Sequence, residues 1–194
     1  FSDMMREKTF GSLGDPHYES YANDIYDSGT LLVSLINDIL DLSKIEAGKY
    51  ELVEKPLDIL KLIQTSFRQL KKIAETSNQT LSTCVPPEFP AIRGDERALI
   101  QIFNNLLSNA IKFTPNSGKI DVEASLDKDN SIVISVSDTG IGMSESGKIK
   151  ALQPFEQADG LHSRRHEGTG LGLHLCVNLM KLFGGTLNIE SEVD

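Results

Sequence analysis

The sequence predicts an α+β protein in which a helical hairpin precedes an α/β sandwich with a mixed sheet. Three observations carry this. Apolar residues recur every seven positions through the first quarter of the chain, the pattern changes to alternating helical and β-rich runs after Gly48, and two β-rich runs joined by a polar turn precede a closing helix. The expected division is residues 1–48, a partial hairpin, and residues 49–194, the sandwich.

The elements follow in chain order. Phe1 to Thr9 contains no breaker and reads as the end of a helix, interrupted by Gly11, Gly14 and Pro16. Asp15 is a candidate N-cap with Pro16 at the first helical position. From there to about Glu46, Tyr18, Ile25, Leu32 and Ile39 stand seven apart, and Tyr21, Leu35 and Leu42 fall three later. Ala22, Gly29 and Ile36 widen the stripe to the face a helix bundle needs. A two-helix hairpin cannot bury such a stripe alone, so a homodimer forming a four-helix bundle is its natural completion, against a single amphipathic helix packed on its own domain.

Beyond Gly48, Tyr50 to Val53 reads as a short strand, Leu57 to about Thr76 as a helix, and Thr80 to Val85 as a strand ended by Pro86-Pro87. Asp95 caps a predicted helix that runs to Phe113 and stops at Thr114-Pro115. Lys119 to Leu126 and Ser131 to Ser137, joined by Asp127-Lys128-Asp129-Asn130, read as a hairpin. Residues 139–169, rich in Gly, Ser and charge, read as mostly irregular; a helix from about Gly170 to Phe183 and a strand from Thr186 to Ile189 close the chain.

Composition excludes several classes. The 194 residues are 39% hydrophobic and 24% charged, with 15 Gly and 7 Pro, which fits a folded domain and not a disordered or collagen-like chain. No apolar run approaches the ~20 residues that cross a bilayer, so no membrane contact is expected, in a cytoplasmic setting. The formal charge of −9 opposes phosphate backbones, so no nucleic acid is expected as a partner. Residues 1–48 hold three basic and nine acidic side chains, six of those nine negative units. Cys84 and Cys176 lack a CxxC or a His at ligand spacing and read as reduced, packed thiols.

Three segments carry chemistry. Asn105, Asn109 and Lys112 stand at i, i+4 and i+7, which places them on one helix face apart from Leu99, Ile102, Phe103, Leu106 and Ile111. Two carboxamides and an ammonium make a poor core face; they suit a hydrated Mg²⁺ and phosphates, although an exposed polar face would look the same. Asp138-Thr139-Gly140-Ile141-Gly142-Met143 places an acid at a strand end before two glycines, where a carboxylate can accept from an exocyclic amine and backbone can come close to a flat ligand. Gly168-Thr169-Gly170-Leu171-Gly172-Leu173 opens a helix with glycine-rich backbone that can face a phosphate chain. It is neither a dinucleotide fingerprint nor a Walker loop: its glycines alternate and no Gly-Lys-Ser/Thr follows.

In order and separation these segments resemble the asparagine box and the two glycine boxes of sensor histidine kinases of two-component systems, and Pro154-Phe155 resembles the phenylalanine box between them. Ile36-Asn37-Asp38-Ile39-Leu40-Asp41-Leu42-Ser43-Lys44-Ile45-Glu46-Ala47-Gly48 is similar to the end of that family's dimerisation helix, so the likeness spans essentially the whole chain. Phe10-Gly11-Ser12-Leu13-Gly14 and Arg164-Arg165-His166 are more narrowly similar to the PleC, DivJ and PdhS cell-cycle kinases.

The resemblance implies a Bergerat-type ATP-binding domain with ATP and Mg²⁺ as ligands. Asp138 would bind the adenine amine, Gly140 and Gly142 would belong to the base site with Gly142 letting the base sit close, and Phe113 would pack beside it. Asn109 and Asn105 would hold Mg²⁺, and Lys112 would meet a phosphate. Gly168, Thr169, Gly170, Leu171 and Gly172 would line the triphosphate, with residues 143–167 as a lid carrying Arg164 and Arg165 toward the γ-phosphate. Phosphate would pass to a histidine on the first dimerisation helix and then to an aspartate of a response-regulator receiver domain. None of His17, His162, His166 and His174 sits in the family's acceptor context, so the acceptor is expected upstream of Phe1, in a parent that could be anchored in the inner membrane. The alternative is a non-autophosphorylating scaffold that signals through nucleotide-dependent conformation. Glu167, where many relatives carry Gly, is expected to weaken ATP binding unless it points outward. Hydrolysis as the main activity is disfavoured, because Asn105 stands where the family's hydrolytic members carry a carboxylate and cannot act as a general base.

Overall fold

The computed structural model describes residues 1–156 and 169–193. Helix α1 (Ser2–Arg6) leads through a turn into α2 (Pro16–Glu46), 31 residues long, whose Asp15 cap accepts from the His17 N–H. Proline at the first position costs nothing there, because that N–H has no helical partner. The Arg6 guanidinium lies 3.8 Å from the Tyr26 ring centroid, and Lys8 pairs with Glu19 at 2.7 Å, so α1 folds back on α2. Along α2 only Ala22 is buried; Tyr18, Tyr21, Ile25, Leu32, Ile36 and Ile39 of the heptad stripe are exposed.

Beyond the arm, β1 (Lys55–Leu57) pairs antiparallel with β3 (Ile92–Gly94), and β2 (Thr80–Cys84), β4 (Lys119–Leu126) and β5 (Ile132–Asp138) form a mixed sheet in the order β2-β4-β5. Strands β2 and β4 run parallel, which requires the crossover that α4 (Glu96–Phe113) provides; β4 and β5 form the expected antiparallel hairpin. Helices α3 (Ile59–Thr76), α4 and α6 (Gly172–Leu182) cover the sheet, and α5 (Glu145–Ala151) lies outside it. Ile63, Leu107, Ile120, Val122, Leu175 and Leu179 form the fully buried centre. Asp58 and Asp95 cap α3 and α4; the buried Asp95 carboxylate also accepts from the Val53 N–H at 2.9 Å.

Two expectations are corrected. The Tyr50–Val53 strand does not form: Asp95 takes the Val53 N–H, and the ladder starts at Lys55, opposite Gly94, in a strand β3 too short and too close to Pro90 to signal itself. Within the segment 139–169, expected to be mostly irregular, Ser144 caps the short α5 by accepting from Gly147 N at 3.1 Å. Thr186–Ile189 forms no strand either. The segment keeps strand-like alternation of exposure and packs Leu187 on the core, but it is fastened by side chains: Ser191 Oγ accepts from Met143 N at 2.8 Å.

Candidate functional site

Helix α4 is the spine of the site. Its buried stripe (Leu99, Ile102, Phe103, Leu107, Ala110, Ile111) fixes its rotation, which leaves Asn105, Asn109, Lys112 and Phe113 half-buried along another face. Asn105 Nδ2 donates to Gly172 O at 3.4 Å, tying this face to the start of α6. A Cβ at Gly172 would sit 3.3 Å from the Asn105 carboxamide, so the glycine makes room for the asparagine. Burial lowers the Lys112 pKa, and its ammonium stands 4.8 Å from the Phe113 ring centroid. A phosphate beside Lys112 would restore the charge that burial disfavours.

At the other end, Phe113 O accepts from Ile141 N at 3.3 Å, joining α4 to the segment after β5. Asp138, the last residue of β5, is exposed; its Oδ1 accepts from Gly140 N at 2.8 Å and from Thr114 Oγ1 at 3.4 Å, while Oδ2 has no hydrogen-bond partner among the described residues. One oxygen is therefore anchored by two donors. A Cβ at Gly140 would come within 2.8 Å of Phe113 O, so the tight turn after the carboxylate requires glycine. At Gly142, φ +64°, a Cβ would fall 1.7 Å from Glu192 O, so the glycine also permits a close approach of the C-terminal segment.

Gly170, at φ +68°, accepts from Phe155 N at 3.0 Å, and a Cβ there would strike the Phe155 backbone at 2.8 Å. The positive φ also explains why α6 begins at Gly172 and not Gly170. Thr169 Oγ1 accepts from Leu171 N at 3.2 Å. The Leu171 side chain is buried in the protein, which leaves only its backbone to face a ligand. Arg164, Arg165, Gly168 and Glu167 lie outside the described residues. Cys176 is buried beside Asn105; burial, only partly offset by that neighbour, pushes its thiol up to about 12, so it is a packed thiol and no nucleophile.

The residues fit Mg²⁺ and a nucleotide by their donor chemistry. Among the described residues no three His, Cys, Asp or Glu side chains gather as a metal cage. Mg²⁺ commonly takes one or two protein ligands and completes its shell with water and phosphate, which the Asn105 and Asn109 amide oxygens can serve. Sequence reasoning missed Gln79 and Thr114. Both are buried; Gln79 Nε2 donates to Ile111 O at 2.9 Å and to Thr114 O at 2.6 Å, holding the end of α4 where Thr114 meets Asp138. No local pattern marks Gln79, because its partners are 32 and 35 residues away.

Comparison with known proteins places this geometry. The sequence model of the family described as histidine kinase-, DNA gyrase B-, and HSP90-like ATPase matches residues 94–194. The chain is 41% identical over 194 residues to the non-motile and phage-resistance protein of Caulobacter vibrioides, covering 98% of this chain and 23% of that protein. It is 42% identical over 193 residues to the histidine protein kinase DivJ of the same organism, covering 100% of this chain and 32% of DivJ. The chain thus spans about a quarter to a third of these relatives. The crystal structure of full-length ShkA in complex with AMPPNP superposes with a TM-score of 0.79 at 28% identity, covering 99% of this chain and 39% of ShkA. Asparagine helix, strand-end aspartate and glycine-opened helix thus lie in the stretch the family model covers, and the chain belongs to the histidine kinase-, DNA gyrase B-, and HSP90-like ATPase family, of the histidine kinase type.

Proposed function

We propose that this chain is the core of a sensor histidine kinase: it binds Mg-ATP between α4, the end of β5 and the start of α6, and delivers the γ-phosphate to a histidine encoded upstream. The observation that carries the reading is the Asp138 carboxylate, pinned through Oδ1 and without a hydrogen-bond partner at Oδ2 among the described residues, beside an α4 face of two carboxamides and a lysine. The similarity to ShkA, crystallised with AMPPNP, supports the same ligand class.

Asp138 accepts the exocyclic amine of adenine, and Phe113 lies against the base. Asn109, with Asn105, supplies amide oxygens to Mg²⁺; when bound, the cation neutralises phosphate charge. Lys112 meets a phosphate, and the backbone of residues 168–172 lines the chain of phosphates. Phosphoryl transfer asks little covalent chemistry of the protein, so positioning and charge neutralisation account for the catalysis. The stripe on α2 pairs with a second copy, and an aspartate on a response-regulator receiver domain takes the phosphate onward. No helix among the described residues is long and apolar enough to cross a membrane.

The test is phosphorylation of a longer chain that includes the upstream histidine, using γ-labelled Mg-ATP. Acid-labile, base-stable label is expected in the wild type and its loss in Asn109→Asp. Absence of label in a wild type that still binds nucleotide would sink the transfer step and leave the scaffold.

A further inference from the structure

We propose that Gln79 and Thr114 are positioning residues that hold the Asp138 carboxylate in register for an exocyclic amine and so set the preference for adenine. The inference rests on the nucleotide reading above and deepens it. The last carbonyls of a helix have no partner within the helix. At the end of α4 two of them, Ile111 O and Thr114 O, converge on one donor, Gln79 Nε2, at 2.9 and 2.6 Å. Gln79 is only 8% exposed and Thr114 6% exposed, so water does not compete for these bonds.

From that anchored end, Thr114 Oγ1 reaches Asp138 Oδ1 at 3.4 Å, and Gly140 N reaches the same oxygen at 2.8 Å. Two donors on one oxygen restrict the rotation of the carboxylate. The surrounding loop is built onto Thr114. A Cβ at Gly118 would lie 2.2 Å from Thr114 Cγ2 and 2.9 Å from Thr139 Oγ1, and Gly118 O accepts from Thr80 N at 3.0 Å beside Gln79. Thr139 closes the ring from the other side: its Oγ1 accepts from Lys119 N at 3.0 Å, and its N–H donates to Lys119 O at 3.1 Å. The turn between α3 and β2, the loop between α4 and β4, and the end of β5 therefore meet at one carboxylate.

Gln79 Nε2 pairs two carbonyls at the end of α4 that an apolar side chain would leave without this donor. The 3.4 Å hydroxyl contact is long for an O–H···O bond, so its contribution is orientation and not strong binding.

The experiment is calorimetric titration of the chain with Mg-ADP and with Mg-IDP, which carries a carbonyl where adenine carries its amine. Unfolding of each variant without nucleotide is measured alongside. Wild type should prefer ADP. Thr114→Val, which keeps the shape and loses the hydroxyl, should lose about tenfold of that ADP-over-IDP preference, chiefly through ADP, while Thr114→Ser retains it. Gln79→Met should reduce the preference in the same direction, which keeps the test open if Thr114→Val fails to fold. Folded Thr114→Val or Gln79→Met with the wild-type ratio would overturn the positioning role and leave the nucleotide site standing. Absence of ADP binding by the wild type would instead overturn the nucleotide reading itself.

Discussion

Helices α2 and α4 are both amphipathic, yet they end in opposite situations. Over 31 residues α2 buries one side chain, Ala22, whereas over 18 residues α4 buries seven, including Leu107 at 0% exposure. The partners of α4 are in the same chain: α3 and α6 flank it and the sheet lies beneath it. Most of the apolar stripe on α2 stays exposed in one copy, with Leu32 58% and Ile25 61% exposed. Near its end α2 touches the sandwich, where Gln101 Nε2 of α4 faces Asp38 at 3.4 Å and Asp41 at 3.3 Å, and Ile45 reaches the core. An apolar helix face thus reports that it is meant to be covered, and not by what.

The largest expected effect breaks the arm alone. Ile25→Glu with Leu32→Glu should convert a dimer into a monomer in sedimentation while nucleotide affinity stays at the wild-type value, since neither side chain is near the site. A variant that remains dimeric would show that the stripe serves another surface. The converse is Leu107→Ala, which removes a fully buried side chain and should cost about 2–5 kcal/mol in urea unfolding. Its folded fraction should still self-associate.

A smaller effect separates two carboxylates by sign. Burial alone would raise the Asp95 carboxyl, but the N–H groups of Val53, Ala98 and Arg97, with the Arg97 guanidinium, outweigh it and hold it below the usual range. Its stabilisation is therefore full above the ordinary carboxylate pKa and is lost as pH falls through the lowered one. Asp38 is the reverse: burial raises it, the Gln101 bond pulls it partly back, and Asp41 pushes it further up. The contact between arm and sandwich is favoured at low pH and weakens as pH rises through that raised value. Denaturation midpoints followed on both sides of the ordinary carboxylate value of 3.8 should lose part of their fall on the acid side in Asp95→Asn and part of their fall on the alkaline side in Asp38→Asn. Unchanged profiles would contradict the assignment.

The helices that seat the site are legible in the sequence because their signals are local. Asp15 and Asp95 cap where expected, and the β4–β5 hairpin follows its turn. The edges are not legible. The Tyr50–Val53 strand is displaced by a hydrogen bond from Val53 to a side chain 42 residues away. Strand pattern at Thr186–Ile189 reflects burial on alternate sides without a ladder. Asn105, Phe113, Asp138, Gly140 and Gly172, all expected in the site, are linked by hydrogen bonds and close approaches that run from Gly172 O to Ile141 N, whereas Gly142 serves the C-terminal segment. Gln79 and Thr114 escape sequence reasoning because their importance is a matter of non-local contacts.

The nucleotide site is tested most directly by calorimetric titration of Mg-ADP into the wild type and into Asp138→Asn, each checked for an unchanged melting temperature. Asparagine can still accept from Gly140 N but replaces the second carboxylate oxygen with a donor or a weaker acceptor. Binding by the wild type is expected, with a loss of about a hundredfold or more in the variant, the scale on which an adenine amine left without its charged acceptor is penalised. Equal affinity of the two proteins for Mg-ADP would contradict the role of Asp138 and, with it, the adenine site.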